Sequence, residues 1–154
     1  MQGKMKDKDL TGYCGLYCGD CIRYNCRASE LSSELLNEFE KHHFNEYADA
    51  KKTNNSAFDN FESLTALLKA ISEINCETPC GSGGDGCGGS CKIISCVHER
   101  KLQGCWECDE LENCEKLNFL KPFHGSSIVE NLRKIQKFGI TDWAKHREKC
   151  YPWI

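Results

Sequence analysis

Thirteen cysteines are the residues of this 154-residue chain whose type and spacing could do chemistry. Cysteines in such numbers form disulfides, bind metal or carry out redox reactions. They fall into two clusters, 14–26 and 76–114, which are separated by a stretch without cysteine, and Cys150 stands alone near the C-terminus. The compartment of the protein and the spacing within each cluster decide between these chemistries.

The first residues of the chain bear on the compartment. Residues 1–13 are rich in lysine and lack the apolar run of a secretory signal. No stretch is long and apolar enough to predict a membrane span. We therefore expect a cytoplasmic protein. Because disulfides are rare in reducing compartments, the cysteines are predicted to bind metal.

The first cluster contains the motif CGLYCGDC, in which Cys14, Cys18 and Cys21 are separated by three and two residues. Thiolates at this spacing can converge on one ion when the backbone between them turns tightly, as glycine allows. Cys26 is a further candidate ligand. The spacing also matches the iron–sulfur motif of radical S-adenosylmethionine enzymes, but the chain lacks the length and the alternating strands and helices of their barrel.

The second cluster contains the motif CWEC, in which Cys105 and Cys108 have the spacing of a zinc half-site. Cys96 before this pair and Cys114 after it complete a set of four. Four thiolates form a closed tetrahedral shell without a position for water, which is typical of structural zinc. A redox C-x-x-C pair is disfavoured because no βαβ pattern accompanies the motif.

Further cysteines of the second cluster could supply a third ligand set, and His98 could replace a thiol in either late set. The grouping of the ligands stays open, because folding can bring the two clusters together. We expect two or three zinc ions per chain, with an iron–sulfur cluster as the alternative, since thiolates bind both. Cys150 is predicted to be a spare thiol. The further candidates are Cys76, Cys80, Cys87 and Cys91.

Periodic apolar residues predict a helical hairpin over residues 30–75, between the two cysteine clusters. One helix is expected over 30–48, where an apolar residue recurs about every four positions. A second is expected after Ser56, where Phe61, Leu64, Leu68 and Ile71 share one face, with Ser56 and Asp59 as its capping box. The loop KKTNN between them is short and polar, which favours antiparallel packing.

Six glycines between residues 76 and 96 predict irregular backbone in that segment. The chain is expected to be helical again over 115–154. One helix there begins with a capping box at Ser127 and ends at Gly139, and Trp143 is expected in the core.

The fold class predicted from these elements is mainly α, as a single small cysteine-rich domain over residues 1–154 that is stapled by metal. The helical hairpin is inserted between the irregular segments 14–26 and 76–114, and the C-terminal helices follow. Leu, Ile, Val and Phe together number only 31, so bound metal is expected to add folding free energy to a small core. Only two valines argue against extensive sheet.

The motif CGLYCGDC and the stretch CKIISCVHERKLQGCWECDELENCEKL together resemble an uncharacterised prokaryotic cysteine-rich family, domain of unknown function 3795. The resemblance extends to FGITDW, which ends at Trp143. It implies metal binding, zinc being the metal usually suspected in this family, and it implies no reaction. The chain departs from the family pattern in its additional Cys26, Cys76 and Cys80 and in its glycine-rich run.

The formal net charge of −3 becomes more negative with each zinc ion that four thiolates bind. This balance disfavours general nucleic-acid binding and attraction to anionic membranes. No catalytic residue set and no phosphate-binding loop are visible. We expect a zinc-stabilised interaction module, with a protein partner that the sequence leaves unknown. The alternatives are an iron–sulfur or thiol redox protein and, after it, a metalloenzyme.

Overall fold

A computed structural model describes residues 5–87, 89–148 and 151. The prediction of a mainly α protein is confirmed, because the described residues form helices and short 3-10 turns and contain no β-strand. None of the described helices is long and apolar enough to cross a membrane. The α-helices are α1 (Ile22–Asn25), α2 (Ala28–Lys41), α3 (Phe44–Lys51), α4 (Phe61–Ser72), α5 (Lys92–Glu99), α6 (Lys121–His124) and α7 (Ser127–Phe138).

The chain divides into two compact units. The first unit contains the described parts of residues 1–25 and 76–154, and the second contains residues 26–75. Among the cysteines that the structure describes, only Cys26 belongs to the second unit, which is the stretch for which the sequence predicts the helical hairpin.

In the second unit, α2 and α4 pack against each other along their length. The Ser29 hydroxyl near the start of α2 donates a 2.6 Å hydrogen bond to the carbonyl of Ser72, which ends α4. Near the other end of the pair, the ring centroids of Phe39 and Phe61 are 5.2 Å apart. The two helices therefore run antiparallel.

The helix predicted over residues 30–48 is broken in the structure, so this prediction is wrong. His43 adopts a left-handed backbone conformation with φ of 48°, and this residue separates α2 from α3. The turn places the ring of Phe44 on that of Phe39, with 4.7 Å between the centroids. Apolar residues recur about every four positions on both sides of His43, so the sequence pattern does not indicate that the helix breaks there.

The second predicted helix begins later than expected. A 3-10 turn occupies Ser56–Asn60, and α4 starts only at Phe61. The side chain of Asn55 caps this turn, because its Oδ1 accepts a 3.0 Å hydrogen bond from the amide of Ala57. The capping box predicted one residue later is therefore wrong.

The core of the first unit forms around α5 and α7. As predicted, α7 extends from Ser127 to the residue before Gly139, whose φ of 77° ends the helix. The Ser127 hydroxyl donates to the carbonyl of His124 and does not cap α7, so the predicted capping box is wrong. Trp143 is fully buried, as expected. Other buried core residues are Ile93, Val97, Ile128, Leu132 and Ile135.

The irregular segment after residue 76 ends earlier than predicted, because α5 starts at Lys92. Ile93 and Val97 lie one helical turn apart and are both buried, so they anchor α5 in the core. Before α5 the backbone is irregular, as predicted, and Gly83 and Gly86 have positive φ angles of 95° and 91°.

Candidate metal centres

Buried polar contacts fix the loop that carries the first cysteine motif. Trp143 Nε1 donates to Thr11 Oγ1 at 2.9 Å, and the Thr11 hydroxyl donates to the carbonyl of Asp7 at 2.7 Å. Asn131 of α7 donates to the carbonyl of Gly15 at 3.0 Å. Because a buried polar group without its partner is costly, these bonds hold the loop in one position.

Cys18 and Cys21 lie on one short 3-10 turn within this loop. The amide of Cys18 donates to the carbonyl of Leu10 at 2.7 Å, and the amide of Cys21 donates to the carbonyl of Cys18 at 3.0 Å. Both cysteines are buried. The turn therefore holds two thiols close together, away from solvent.

The glycine-rich segment brings Cys80 against the same loop. A Cβ on Gly81 would lie 2.1 Å from the carbonyl oxygen of Thr11, so the two backbones approach only because Gly81 lacks a side chain. A Cβ on Gly12 would lie 3.2 Å from Cys80 Sγ and 3.7 Å from Cys14 Sγ. The two sulfur atoms are therefore within about 7 Å of each other, which is the sum of these distances.

Six thiols of the first unit form a set in which each influences, or is influenced by, the ionisation of at least one other. Burial is the main cause of the raised pKa of Cys18, and four neighbouring thiolates add to it. Cys87 is exposed as a whole residue, but partial desolvation of its thiol raises its pKa to about 11, and three thiolates contribute. Such repulsion weakens with distance, so these thiols lie in the same part of the first unit. The first thiol group is Cys14, Cys18, Cys21, Cys76, Cys80 and Cys87.

Backbone amides contact two sulfur atoms of the first thiol group. Burial raises the pKa of Cys14, and a backbone hydrogen bond with Leu16 opposes this rise. Burial also raises the pKa of Cys80, and a backbone hydrogen bond with Tyr13 opposes it. Hydrogen bonds to a sulfur favour its thiolate form and are common where thiolates bind metal.

Arg23 lies beside the first thiol group. Burial raises the pKa of Cys76 and of Cys87, and the guanidinium charge of Arg23 lowers both. The carbonyl of Arg23 accepts a 3.0 Å hydrogen bond from the amide of Cys76. Arg23 Nε is buried and has no hydrogen-bond partner in the described part of the chain.

Four cysteines line one small, partly enclosed cavity of about 40 Å³ in the first unit. Ile93 and Val97 of α5 and the buried Leu111 form apolar parts of its wall. Burial is the main cause that raises the pKa of Cys105 to about 12, and the thiolates of the other three cysteines add to it. The second thiol group is Cys96, Cys105, Cys108 and Cys114.

Neighbouring elements position the second thiol group. The amide of Cys105 donates to the carbonyl of Tyr13 at 2.9 Å, which ties the two cysteine motifs together. Gln136 of α7 donates to the carbonyl of Trp106 at 2.8 Å. Because Asn131 holds the first motif, α7 supports the loops of both groups.

Arg100 contacts the second thiol group directly. Its Nη1 donates to Cys108 Sγ at 3.2 Å and to Glu110 Oε2 at 2.9 Å. Neither Arg23 nor Arg100 was predicted as a site residue. The sequence feature that could have identified Arg100 is its position four residues after Cys96. Arg100 directly follows α5 and so lies one helical turn from this cysteine.

Cys91 lies between the two thiol groups. Its thiolate raises the pKa of Cys80 in the first group and of Cys105 in the second, in each case after the larger effect of burial. A Cβ on Gly86 would lie 3.6 Å from Cys91 Sγ, so the irregular segment passes close to this thiol. Cys91 is therefore adjacent to both groups.

The remaining predicted ligands do not belong to either thiol group. His98 Nε2 lies 3.5 Å from the Tyr13 hydroxyl. Cys26 is exposed, and its sulfur accepts a hydrogen bond from the amide of Ala28 at 3.4 Å. Cys150 lies outside the described residues.

The sulfur atoms of the two groups are not arranged as they would be around a bound metal ion. Within residues 5–87, 89–148 and 151, no three His, Cys, Asp or Glu side chains have the geometry to hold a metal ion. Tetrahedral zinc with Zn–S bonds of about 2.3 Å places sulfur atoms about 3.8 Å apart. Rotation about χ1 moves a cysteine sulfur by roughly 3 Å, so binding an ion would require side-chain rotation at these thiols.

Comparison with known proteins identifies a family. The model of a family described as "Protein of unknown function (DUF3795)" matches residues 10–119. The chain belongs to this family. The DUF3795 match includes both thiol groups, Arg23 and Arg100, and it ends before the FGITDW stretch. No curated protein and no solved structure matches the chain.

Proposed function

We propose that this protein binds structural zinc and that the second thiol group forms one four-thiolate site. The observation that carries the proposal is the convergence of four cysteines on one small cavity. A volume of about 40 Å³ exceeds the roughly 10–15 Å³ that one water molecule needs. Four thiols around such a space match the ligand number and type of structural zinc.

The surroundings of the cavity support a structural site over a catalytic one. Four thiolates leave no coordination position for water or substrate. The apolar side chains of Ile93, Val97 and Leu111 limit the access of water to the sulfurs. Arg100 donates to Cys108 Sγ, and its positive charge offsets part of the net −2 charge of zinc with four thiolates.

Zinc in this position would join three segments of the first unit. The ligands come from α5, from the CWEC turn and from the turn before residue 115. The metal therefore acts as a cross-link in a unit with a small apolar core, and its binding free energy adds to folding. We propose that the stabilised unit serves as an interaction module for a protein partner.

Metal analysis of purified protein tests the proposal. After anaerobic purification, replacing Cys108 with serine should remove about one zinc equivalent per chain. The exposed Cys26 provides the control, and Cys26→Ser should keep the full zinc content. Iron with acid-labile sulfide in place of zinc, or an unchanged zinc content in Cys108→Ser, would contradict the four-thiolate zinc site.

A further inference from the structure

We infer that the second unit is a dimerisation element, in which one face of the pair of α2 and α4 packs against the same face of a second copy of the chain. The inference concerns residues outside both thiol groups and does not depend on bound metal. The observation that prompts it is how little the second unit buries. Within residues 26–75, Ala48 is the only buried apolar residue. Helices of stable domains bury an apolar face against a neighbouring layer, so a surface for such a layer is expected on this pair.

The exposed leucines of α2 and α4 lie on one face of the pair. The contact side of α2 contains Ser29 and Phe39, and that of α4 contains Phe61 and Ser72. Helical spacing adds positions 32 and 36 to the first side and positions 65 and 68 to the second. On both helices the exposed leucines stand one position earlier, which is a rotation of about 100° around the helix axis. Because the helices run antiparallel, this rotation turns both sets to the same side of the pair. The leucine face contains Leu31, Leu35, Leu64 and Leu67.

The opposite face of the pair is polar. A groove there is lined by Asn37 and Glu40 of α2 and by Glu62 and Lys69 of α4, among others. Lys69 is the only charged residue between positions 63 and 72, so the part of α4 that belongs to the leucine face carries no charge. Depletion of charge is typical of the centre of a protein interface.

The distribution of charge at the edges favours a second copy as the occupant. Beyond the leucines of α2 lie the exposed Glu30 and Glu34, whereas the corresponding edge of α4 contains Ala66 and Ala70. A two-fold axis parallel to the helices places α2 of one copy over α4 of the other. Each acidic edge then lies beside an uncharged edge, and all neighbouring helices are antiparallel, as in a four-helix bundle.

The size of the leucine face suits a weak dimer. With 14 residues in α2 and 12 in α4, the helices are about 21 Å and 18 Å long at the usual rise per residue. Two helices side by side are about 20 Å wide, so the face covers roughly 400 Å² in projection. Stable interfaces bury about 800 Å² of accessible surface on each partner, which places this contact among the smaller, transient ones.

Sedimentation of the full-length chain tests the inference. The unaltered chain should change from monomer to dimer over roughly 1 to 500 µM, the range expected for a small interface. Leu67→Glu should raise the dissociation constant at least about 100-fold, because it brings like charges together at the centre of the contact. Leu67 is 59% exposed, so this change removes little packing within one chain. Asn37→Glu is the matched control, because it adds the same charge in the groove on the opposite face and should leave the dissociation constant unchanged.

Amide hydrogen exchange of the unaltered chain provides a measurement that needs no variant and remains informative if Leu67→Glu does not fold. Exchange in α2 and α4 should slow as the protein concentration rises, while exchange in α5 should keep its rate. A chain that stays monomeric at every concentration would overturn the inference and point to a different protein on this face. Leu67→Glu that folds and dimerises as strongly as the unaltered chain would also overturn it, since the dimer contact would then lie elsewhere.

Discussion

Two arginines stand next to the two thiol groups and are suited to stabilise thiolates. Arg100 donates to Cys108 Sγ and is held in place by Glu110. Arg23 lies beside Cys76 and Cys87, whose pKa values its charge lowers against the effect of burial. In both places a fixed cation reduces the cost of collecting several negative sulfurs around an ion.

Replacing Arg100 with glutamine should weaken zinc binding at the second thiol group by about 10-fold, the lower end of the effect seen for residues that support metal ligands. Competition with a zinc-binding dye measures this affinity. Arg27→Gln is the matched control, because Arg27 forms an exposed ion pair with Glu30 in the second unit. Equal affinities in the two variants would show that the contact with Cys108 has no effect on the metal.

The raised thiol pKa values predict opposite effects of pH with and without zinc. In chelated protein, Cys87 and Cys105, with pKa values of about 11 and 12, contribute stability as neutral thiols. This stability is present below about pH 9, the ordinary thiol value, and is lost as pH rises through 11 to 12. Zinc requires thiolates, so the zinc-loaded protein should gain stability from pH 6 to pH 8.

Denaturant unfolding at several pH values, with zinc and with chelator, measures these trends. The chelated protein should be less stable at pH 10.5 than at pH 8, and the zinc-loaded protein more stable at pH 8 than at pH 6. A chelated protein whose stability increases above pH 9 would contradict the raised pKa values of these two thiols.

At the scale of elements, a helix was predictable where the spacing of its apolar residues and a helix-ending residue indicated the same boundary. α7 ends before Gly139 as expected, because the last apolar residues of its buried face and the glycine indicate the same boundary. The break at His43 was not predictable, since the left-handed turn accompanies a tertiary contact, the packing of Phe44 on Phe39, which the apolar period does not encode. The start of α5 was missed because glycines dominate the sequence immediately before Lys92.

For the thiol groups too, local spacing was predictable from the sequence and tertiary contacts were not. The four cysteines of the second thiol group were predicted as one set from the CWEC spacing and its flanking cysteines. The membership of Cys80 in the first group depends on the approach of Gly81 to Thr11, a contact between residues about 70 positions apart in the chain. Spacing within a motif carries no information about such a contact.

Two glycines with similar positive φ angles allow a test of how α7 supports the first motif. Gly15 has φ of 84°, and a Cβ there would lie 3.0 Å from Leu132 of α7. Gly83 has φ of 95°, and a Cβ there would meet nothing within 4 Å. Alanine at either position should cost about 1–2 kcal/mol for the left-handed backbone.

Gly15→Ala should cost about 1–3 kcal/mol more than Gly83→Ala, because Leu132 is fully buried and must shift. Urea unfolding of the two variants gives the difference directly. Equal losses of stability would mean that the contact between this loop and α7 is not tightly packed.

At the scale of the whole molecule, the two units depend on different sources of stability. The first unit contains both thiol groups and a core of buried apolar side chains. The second unit buries little, and Leu31, Leu35, Leu64 and Leu67 are 50%, 42%, 43% and 59% exposed. The contact of α2 with α4 holds it together, and neither helix contains a cysteine.

Removing metal should therefore loosen only one of the two units. With chelator, amide hydrogen exchange should accelerate in α5 and across residues 105–114, because the thiolate cross-link there is lost. Exchange in α2 and α4 should keep its rate, since their contacts contain no candidate ligand except the exposed Cys26, which precedes α2. Added zinc should restore slow exchange, which controls for irreversible damage. An unchanged rate in α5 would refute a structural role for the metal, and an equal acceleration in both units would show that they unfold as one.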